Sequence, residues 1–261
     1  YEHPNYVPLV RRSFDRWYEL ERLTGRHLLT ECGCLSLGLP ESEVVAGVKQ
    51  AAAQHGLPVE TLAASDLRRR YSQFRFGDDY VGVLERQAGF LYVERCVQAH
   101  IAAAVQHGAT ILPDQAVRRW SANSKEIEVE TSREVHRAAR LVIAAGPWSG
   151  SVLGRYGVDL RIMRQTLLWF ATADDRQFQR DRFPIYIAEV AGGHYYGLPV
   201  IDASGHKVAR HYGAPELRSP MEVDRRSTAD DETPVRAFLD AHLPQVNGPL
   251  RQAQTCMYTL S

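Results

Sequence analysis

The chain reads as α/β (α+β), a helix-rich segment with parallel-sheet character followed by a large, mostly antiparallel sheet. Three observations predict this. Residues 141–145 (Leu-Val-Ile-Ala-Ala) form an unbroken apolar run that stops at Gly146, the pattern of a strand buried on both faces of a parallel sheet. Ahead of it, Val93, Val97, His100, Ile101, Ala104 and Val105 recur with helical period, and Gly108 closes the pattern. After Arg161 the texture changes to strand-like runs at 165–173, 183–190, 194–198 and 206–211. Ala191-Gly192-Gly193 and Asp202-Ala203-Ser204-Gly205 supply hairpin-type turns between them.

The remaining elements follow in order. Leu9, Val10, Phe14, Trp17 and Leu20 share one side of a helix over residues 8–24, ending near Gly25. Residues 34–39 alternate like a strand, and residues 42–55 are helical until Gly56 stops them. Ser65 is the expected N-cap of a short basic helix through Tyr71. Residues 82–85 and 89–91 form two short strands around a turn, and 110–112 and 116–120 two more. The clean alternation at 126–130 predicts a half-exposed strand. Gly146-Pro147-Trp148-Ser149 turns into a short helix, the strand-turn-helix place where α/β folds bind phosphates. Residues 234–243 are one helix, with Thr233 as N-cap and Pro234 in its first position. A last strand covers 250–259.

Composition narrows the function classes. The 261 residues are 44% apolar and 24% charged, with Lys+Arg and Asp+Glu both 31. That balance gives no electrostatic reason to expect nucleic acid or an anionic membrane as partner. No run approaches the ~20 apolar residues of a membrane span, and the first residues lack the pattern of a signal peptide. The absent initiator Met fits a chain cut from something longer. Four cysteines, Cys32, Cys34, Cys96 and Cys256, are too few for a disulfide scaffold, so a reduced, cytoplasmic setting is expected. Cys32-Gly33-Cys34 reads as buried strand and not half a metal site, since no second Cys/His cluster has zinc spacing. Arg68-Arg69-Arg70 reads as a solvated helix face.

A complete dinucleotide-binding domain carries Gly-x-Gly-x-x-Gly after its first strand. Gly146, Gly150 and Gly154 follow a different spacing. Either the protein binds no dinucleotide, or its first βαβ unit precedes Tyr1.

Seven stretches carry a resemblance: Tyr6-Val7-Pro8-Leu9, Trp17-Tyr18-Glu19-Leu20, Gly89-Phe90-Leu91, Ala145-Gly146-Pro147-Trp148, Tyr195-Tyr196-Gly197-Leu198-Pro199, Lys207 to His211, and Cys256-Met257-Tyr258-Thr259. In order and spacing the chain resembles the monomeric sarcosine oxidase and N-methyl-amino-acid oxidase family, within the D-amino-acid oxidase fold group. The resemblance implies an incomplete FAD-binding Rossmann-like domain, residues 1–30 and 93–155, and a substrate domain, residues 31–92 and 156–259. It implies FAD held covalently by Cys256, a small secondary amine of the N-methylglycine type as substrate, and dioxygen as acceptor. The products would be an aldehyde, a primary amine and hydrogen peroxide; the oligomeric state is left open by the sequence, with a monomer favoured. The family's Gly-rich loop and carboxylate-binding arginines would precede Tyr1. A Gly-His-Gly segment and a second basic residue would follow Ser261. The chain as it stands is therefore expected to bind FAD poorly.

The same resemblance assigns roles. Lys207 would place an ammonium where oxygen is reduced, and Cys256 would tether the flavin. His211 is four residues from Lys207 and shares its strand face. Tyr196 and Tyr258 would wall the substrate, and Tyr258 shares a face with Cys256. Gly146 would let backbone approach the FAD diphosphate, and Val117 would face the adenine. On the residues alone, plainer readings stand beside these: a buried strand cysteine, an outward lysine, a structural histidine, core tyrosines. Three other functions also stand beside the sarcosine reading: oxidation of N-methyltryptophan, oxidation of cyclic imino acids, and a non-catalytic binding module.

Overall fold

The computed structural model describes residues 3–261. Its contacts fall into two units. The larger comprises residues up to Ala99, Gln165–Ala214 and Asp224–Cys256; the smaller comprises His100–Arg164, Pro215–Val223 and Met257–Ser261.

In chain order the helices are α1 (Val7–Thr24), α2 (Glu43–His55), α3 (Ala64–Arg70), α4 (Val93–Gln106), α5 (Ser149–Leu153) and α6 (Ala229–His242). The strands are β1 (Leu29–Glu31), β2 (Cys34–Gly38), β3 (Val59–Leu62), β4 (Val81–Glu85), β5 (Gly89–Leu91), β6 (Val117–Ala122), β7 (Ile127–Thr131), β8 (Val135–Ala138), β9 (Arg161–Phe170), β10 (Ile185–Val190), β11 (Gly193–Leu198), β12 (His206–Arg210), β13 (Glu216–Leu217) and β14 (Leu250–Leu260). Among the described residues no helix is long and apolar enough to cross a membrane.

The larger unit is built on a sheet of order β9-β12-β11-β10-β2-β4-β3, with β14 also pairing β9. β2 and β10 run parallel, while β10-β11, β11-β12, β12-β9, β2-β4 and β3-β4 are antiparallel. One face carries Leu35, Leu37, Tyr186, Ala188, Tyr195, Val208, Leu168 and Phe170, all buried with Val235, Phe238 and Leu239 of α6. Phe238 stacks on Tyr195 with ring centroids 4.4 Å apart. Gly197 is required here by space: a Cβ would lie 2.4 Å from Cζ of Tyr186. Fully buried His206 belongs to this core, its ring stacked on Tyr186 at 5.8 Å. Burial pushes its pKa down to about 3, so it is neutral.

The opposite face of the sheet is half-covered. Val45 and Val48 of α2 pack against Val83 of β4, while α1 spans a cavity described below. A separate pair, β1-β5, sits beside the start of α4, whose Cys96 and Ala99 are buried. The smaller unit holds an antiparallel sheet, β6-β7-β8. In it β13 pairs with Ile162 and Met163 at the start of β9.

Several expectations are corrected. β2 does not alternate: Leu35, Ser36, Leu37 and Gly38 are all buried, because α2 covers one side and the aromatic core the other. α3 starts at Ala64 with Ala63 extended at its N-cap, so Ser65 lies inside the first turn. α6 starts five residues before Pro234, at Ala229. Its cap is Thr228, whose N–H donates to the Asp231 carboxylate at 2.9 Å. Asp230, Asp231 and Glu232 then stand at the positive end of the helix dipole, which offsets the hydrogen bond that Pro234 cannot make. Residues 110–112 form no strand, and Ile111 and Leu112 are exposed.

The largest correction concerns 141–145. The run forms no strand, and Val142 is 87% exposed. A strand buried on both faces needs hydrogen-bonding neighbours on both edges, and among the described residues no strand pairs with it. Strands β3, β8 and β13 had no clear sequence signal. The Arg68-Arg69-Arg70 run is a solvated face. Its members pair with Asp78, Asp66 and Glu60 at 2.7, 2.6 and 2.5 Å.

Candidate functional site

The alternation of β12 sends His206 and Val208 into the core and leaves Lys207 and Ala209 on the opposite face. Registered partners share a face, so Lys207 stands beside Trp169 on β9 and Leu198 on β11, and Ala209 stands beside Tyr196. The Lys207 Nζ lies 5.2 Å from the centre of the Trp169 ring, within cation–π reach. Burial lowers the Lys207 pKa below the ordinary lysine value; Cys256 and the Glu94 carboxylate act against that fall. Cys256 is thus an electrostatic neighbour of Lys207. It lies half-buried on β14, beside Thr255, whose hydroxyl donates to the Arg225 carbonyl at 3.1 Å.

His211 follows β12 directly. Its N–H donates to the His194 carbonyl at 2.7 Å. The side-chain amide of Gln165, buried within β9, donates to the Arg210 carbonyl and to that of His211 at 3.2 Å. These bonds fix the chain where the strand ends. The His211 ring meets Tyr196 edge-on at 5.7 Å and Tyr212 at 4.1 Å. The larger unit therefore brings Lys207, His211, Tyr196 and Cys256 to one region.

The other three expected residues belong to the smaller unit. Tyr258 is half-buried two residues past Cys256 on β14, which by strand period gives it the same face. Val117 opens β6 opposite Thr131 and is 58% exposed. Gly146 has φ of 51° at the start of a 3-10 turn, and a Cβ there would meet nothing within 4 Å. Its glycine serves backbone angle and not space.

Trp169, Glu94 and the Glu189–His194 pair were not anticipated. Glu189 accepts from the N–H of Val44, at the start of α2, at 3.0 Å, and lies 3.6 Å from His194 Nε2. Period-2 reasoning gives the face of Trp169 only once the β9-β12 register is known, and Glu94 is distant in sequence.

One strand further along the same face, a cavity of about 470 Å³ lies under α1. Phe14 and Trp17 of α1 face Cys34 and Ser36 of β2 and Ile185 and Ile187 of β10 across it.

These residues fit the cofactor that the resemblance implies. A half-buried thiol beside a lysine and a Trp ring offers a nucleophile, a cation and an aromatic wall on a partly open sheet face. FAD would supply a ring system that accepts two electrons.

Comparison with known proteins agrees. Monomeric sarcosine oxidase of Streptomyces avermitilis is 34% identical over 263 residues, covering 99% of this chain and 68% of the relative. Monomeric sarcosine oxidase of a Bacillus species is 30% identical, covering 99% and 67%. N-methyl-L-tryptophan oxidase of Yersinia pestis is 31% identical, covering 100% and 69%. The fold matches that of NikD, an unusual amino acid oxidase essential for nikkomycin biosynthesis, with a TM-score of 0.86 at 21% identity, covering 100% of this chain and 69% of that one. The family profile "DAO: FAD dependent oxidoreductase" matches residues 1–261, and the chain belongs to that family of FAD-dependent oxidoreductases.

Proposed function

We propose that the protein oxidises sarcosine or a similar N-methyl amino acid with dioxygen as acceptor, giving an aldehyde, a primary amine and hydrogen peroxide. The observation that carries this reading is the nearness of Lys207 to Cys256 on the face that also bears Tyr196 and His211. The relatives named for sarcosine and N-methyltryptophan oxidation support it. Residues 1–30 and 93–155 are assigned to the FAD-binding part, residues 31–92 and 156–259 to the substrate part. The reading extends to a monomer in the cytoplasm.

Bound FAD would supply the two-electron acceptor for the hydride equivalent on the carbon next to the amine nitrogen, with dioxygen as the final oxidant. Cys256 would hold it through a thioether at sulfur. Lys207 keeps an ammonium in a partly desolvated place, where it stabilises negative charge developing on oxygen. Tyr196 and His211, ring edge against ring face, form a wall that orients the amine. Val117 and Gly146 are assigned to the adenine and diphosphate contacts, Tyr258 to the substrate wall. The amine reacts neutral, and half-burial of this face favours its loss of a proton. Water then hydrolyses the imine product.

The test is colour. Purified full-length protein should stay yellow after acid precipitation, and Cys256→Ser should lose the colour to the supernatant. A protein that never acquires flavin removes the proposal and leaves the non-catalytic reading.

A further inference from the structure

Two thiols at the start of β2 take no part in the chemistry above. Cys32 and Cys34 are both half-buried, and neither is in a disulfide. Between them the chain makes a bulge. The N–H groups of Cys32 and Gly33 both donate to the Ala88 carbonyl, at 3.1 and 2.8 Å, so two residues share one partner. Gly33 has φ of 79°, a bend that glycine adopts without strain. Two trans peptide links reach at most about 7 Å, and the bend shortens that span towards the roughly 4.4–6.8 Å between the Cα atoms of a disulfide. The neighbouring strand sets both thiols against one residue. Ile185 is the register partner of Cys34. Its N–H donates to the Gly33 carbonyl at 3.1 Å and also faces the Cys32 sulfur, which lies 3.8 Å from that carbonyl. Burial pushes the Cys32 thiol up, while the Ile185 N–H and the Arg180 guanidinium act against that rise by favouring the thiolate. Arg180 is held in turn by donating to the Tyr92 hydroxyl at 2.8 Å. Cys34 lines the cavity under α1, so a small solute there reaches it without the core opening. Cys96 is the contrast: it is buried, and burial pushes its thiol up.

We propose that Cys32 and Cys34 are a peroxide-reactive dithiol, with hydrogen peroxide reaching Cys34 through the cavity and Cys32 closing a disulfide onto it. The Cys34 thiolate attacks a peroxide oxygen. The O–O bond breaks, an S–O bond forms, and the departing hydroxide takes the proton that the thiol lost and leaves as water. The Cys32 thiolate then attacks the sulfenic sulfur. The S–O bond breaks as the S–S bond forms, and hydroxide leaves with the Cys32 proton as a second water. The two thiols lose two electrons and the peroxide gains them. A thiol reductant restores the pair by exchange. The dithiol stands without the amine-oxidase reading; under that reading, peroxide would arise on this same face of the sheet.

The experiment adds hydrogen peroxide, without any amine, to the purified full-length protein. The protein is then denatured, alkylated with iodoacetamide and cut with trypsin. Residues 27–49 come off as one peptide that holds Cys32 and Cys34 and no other cysteine. That peptide should lose two hydrogens and both alkylation sites, and dithiothreitol given before alkylation should restore them. Cys96 should remain alkylated throughout. Cys32→Ser should stop at the sulfenic acid of Cys34, captured by dimedone. Cys34→Ser should slow oxidation at Cys32 by about tenfold or more, since the thiol open to the cavity is gone. Should either variant not fold, the wild-type peptide decides alone. A peptide that keeps both thiols, one that gains oxygen on Cys34 without an S–S bond, or Cys96 oxidised as fast as the pair would overturn the proposal. A colourless protein that still forms the bond leaves the dithiol in place and removes the oxidase reading. A yellow protein whose peptide stays reduced does the reverse.

Discussion

The two faces of the large sheet are made by the same strands and do different work. On the core face Tyr186, Val208, Leu168 and Phe170 are at most 1% exposed and lock onto α6. On the other face Lys207 and Trp169, their immediate sequence neighbours, and Tyr196 are only half-buried. Strand period alone separates them: one residue's step along β12 goes from a neutral histidine inside an aromatic cluster to a lysine near a cysteine. The difference teaches that a well-filled core face lets the opposite face carry a partly desolvated charge. The stability that such a charge costs is supplied elsewhere on the same backbone.

The sharpest way to break this comparison is to truncate adjacent aromatic residues of β9. Phe170→Ala, in the core, should cost about 3–5 kcal/mol in denaturant unfolding. Trp169→Ala, on the half-open face, should cost clearly less. Equal losses would mean that both faces hold the fold together.

Lys207→Met reverses the pattern. Flavin reoxidation by dioxygen should slow by roughly a hundredfold or more, the scale for removing one fixed charge-stabilising donor. Anaerobic reduction by the amine should change much less. The unfolding midpoint should stay the same or rise, since a charge leaves a desolvated position. Equal slowing of both half-reactions would remove Lys207 from oxygen chemistry.

His206, the neighbour on the core face, should announce itself only through acid stability. Its folded pKa, about 3, lies below the ordinary 6.5. Between those values the unfolded chain binds a proton that the folded chain refuses, so stability falls as pH drops from about 6.5 towards about 3. The slope is roughly 1.4 kcal/mol per pH unit from this one group. His206→Phe, which keeps a ring against Tyr186, should flatten that limb in urea titrations. An unchanged limb would mean that the unfolding seen in acid comes from carboxylates alone.

How much of this was legible follows the same division. Alternation and hairpin turns encode both element and face, and β10, β11, β12 and β14 lie where the pattern put them. The shared face of Lys207 and His211 was readable for that reason; that Tyr196 joins it follows only from the β11-β12 register. What failed needed non-local knowledge. Residues 141–145 carry the composition of a buried parallel strand, but composition cannot supply the strands on either side. Pro234 drew the start of α6 too late, since the acidic turn before it outweighed the proline. Trp169 and Glu94 meet Lys207 only through a register and a fold that no local pattern states.

The smallest expected effect concerns Glu94. Two groups support the charge on Lys207 against burial, Cys256 and the Glu94 carboxylate. With the proposed thioether in place Cys256 could no longer carry a negative charge, and Glu94 would become the remaining support. Because burial holds the Lys207 pKa below that of a free lysine, reoxidation should fall on the alkaline side at a lower pH than 10.5, the ordinary lysine value. Glu94→Gln should move that fall to still lower pH while leaving the rate at neutral pH within about twofold, as expected for an exposed charge in high-dielectric surroundings. Raising the salt should mimic the variant in the wild type and do nothing further to Glu94→Gln. An alkaline limb that ignores both Glu94 and salt would assign the support of the ammonium to the Trp169 ring, a contact that ionic strength does not screen in the same way.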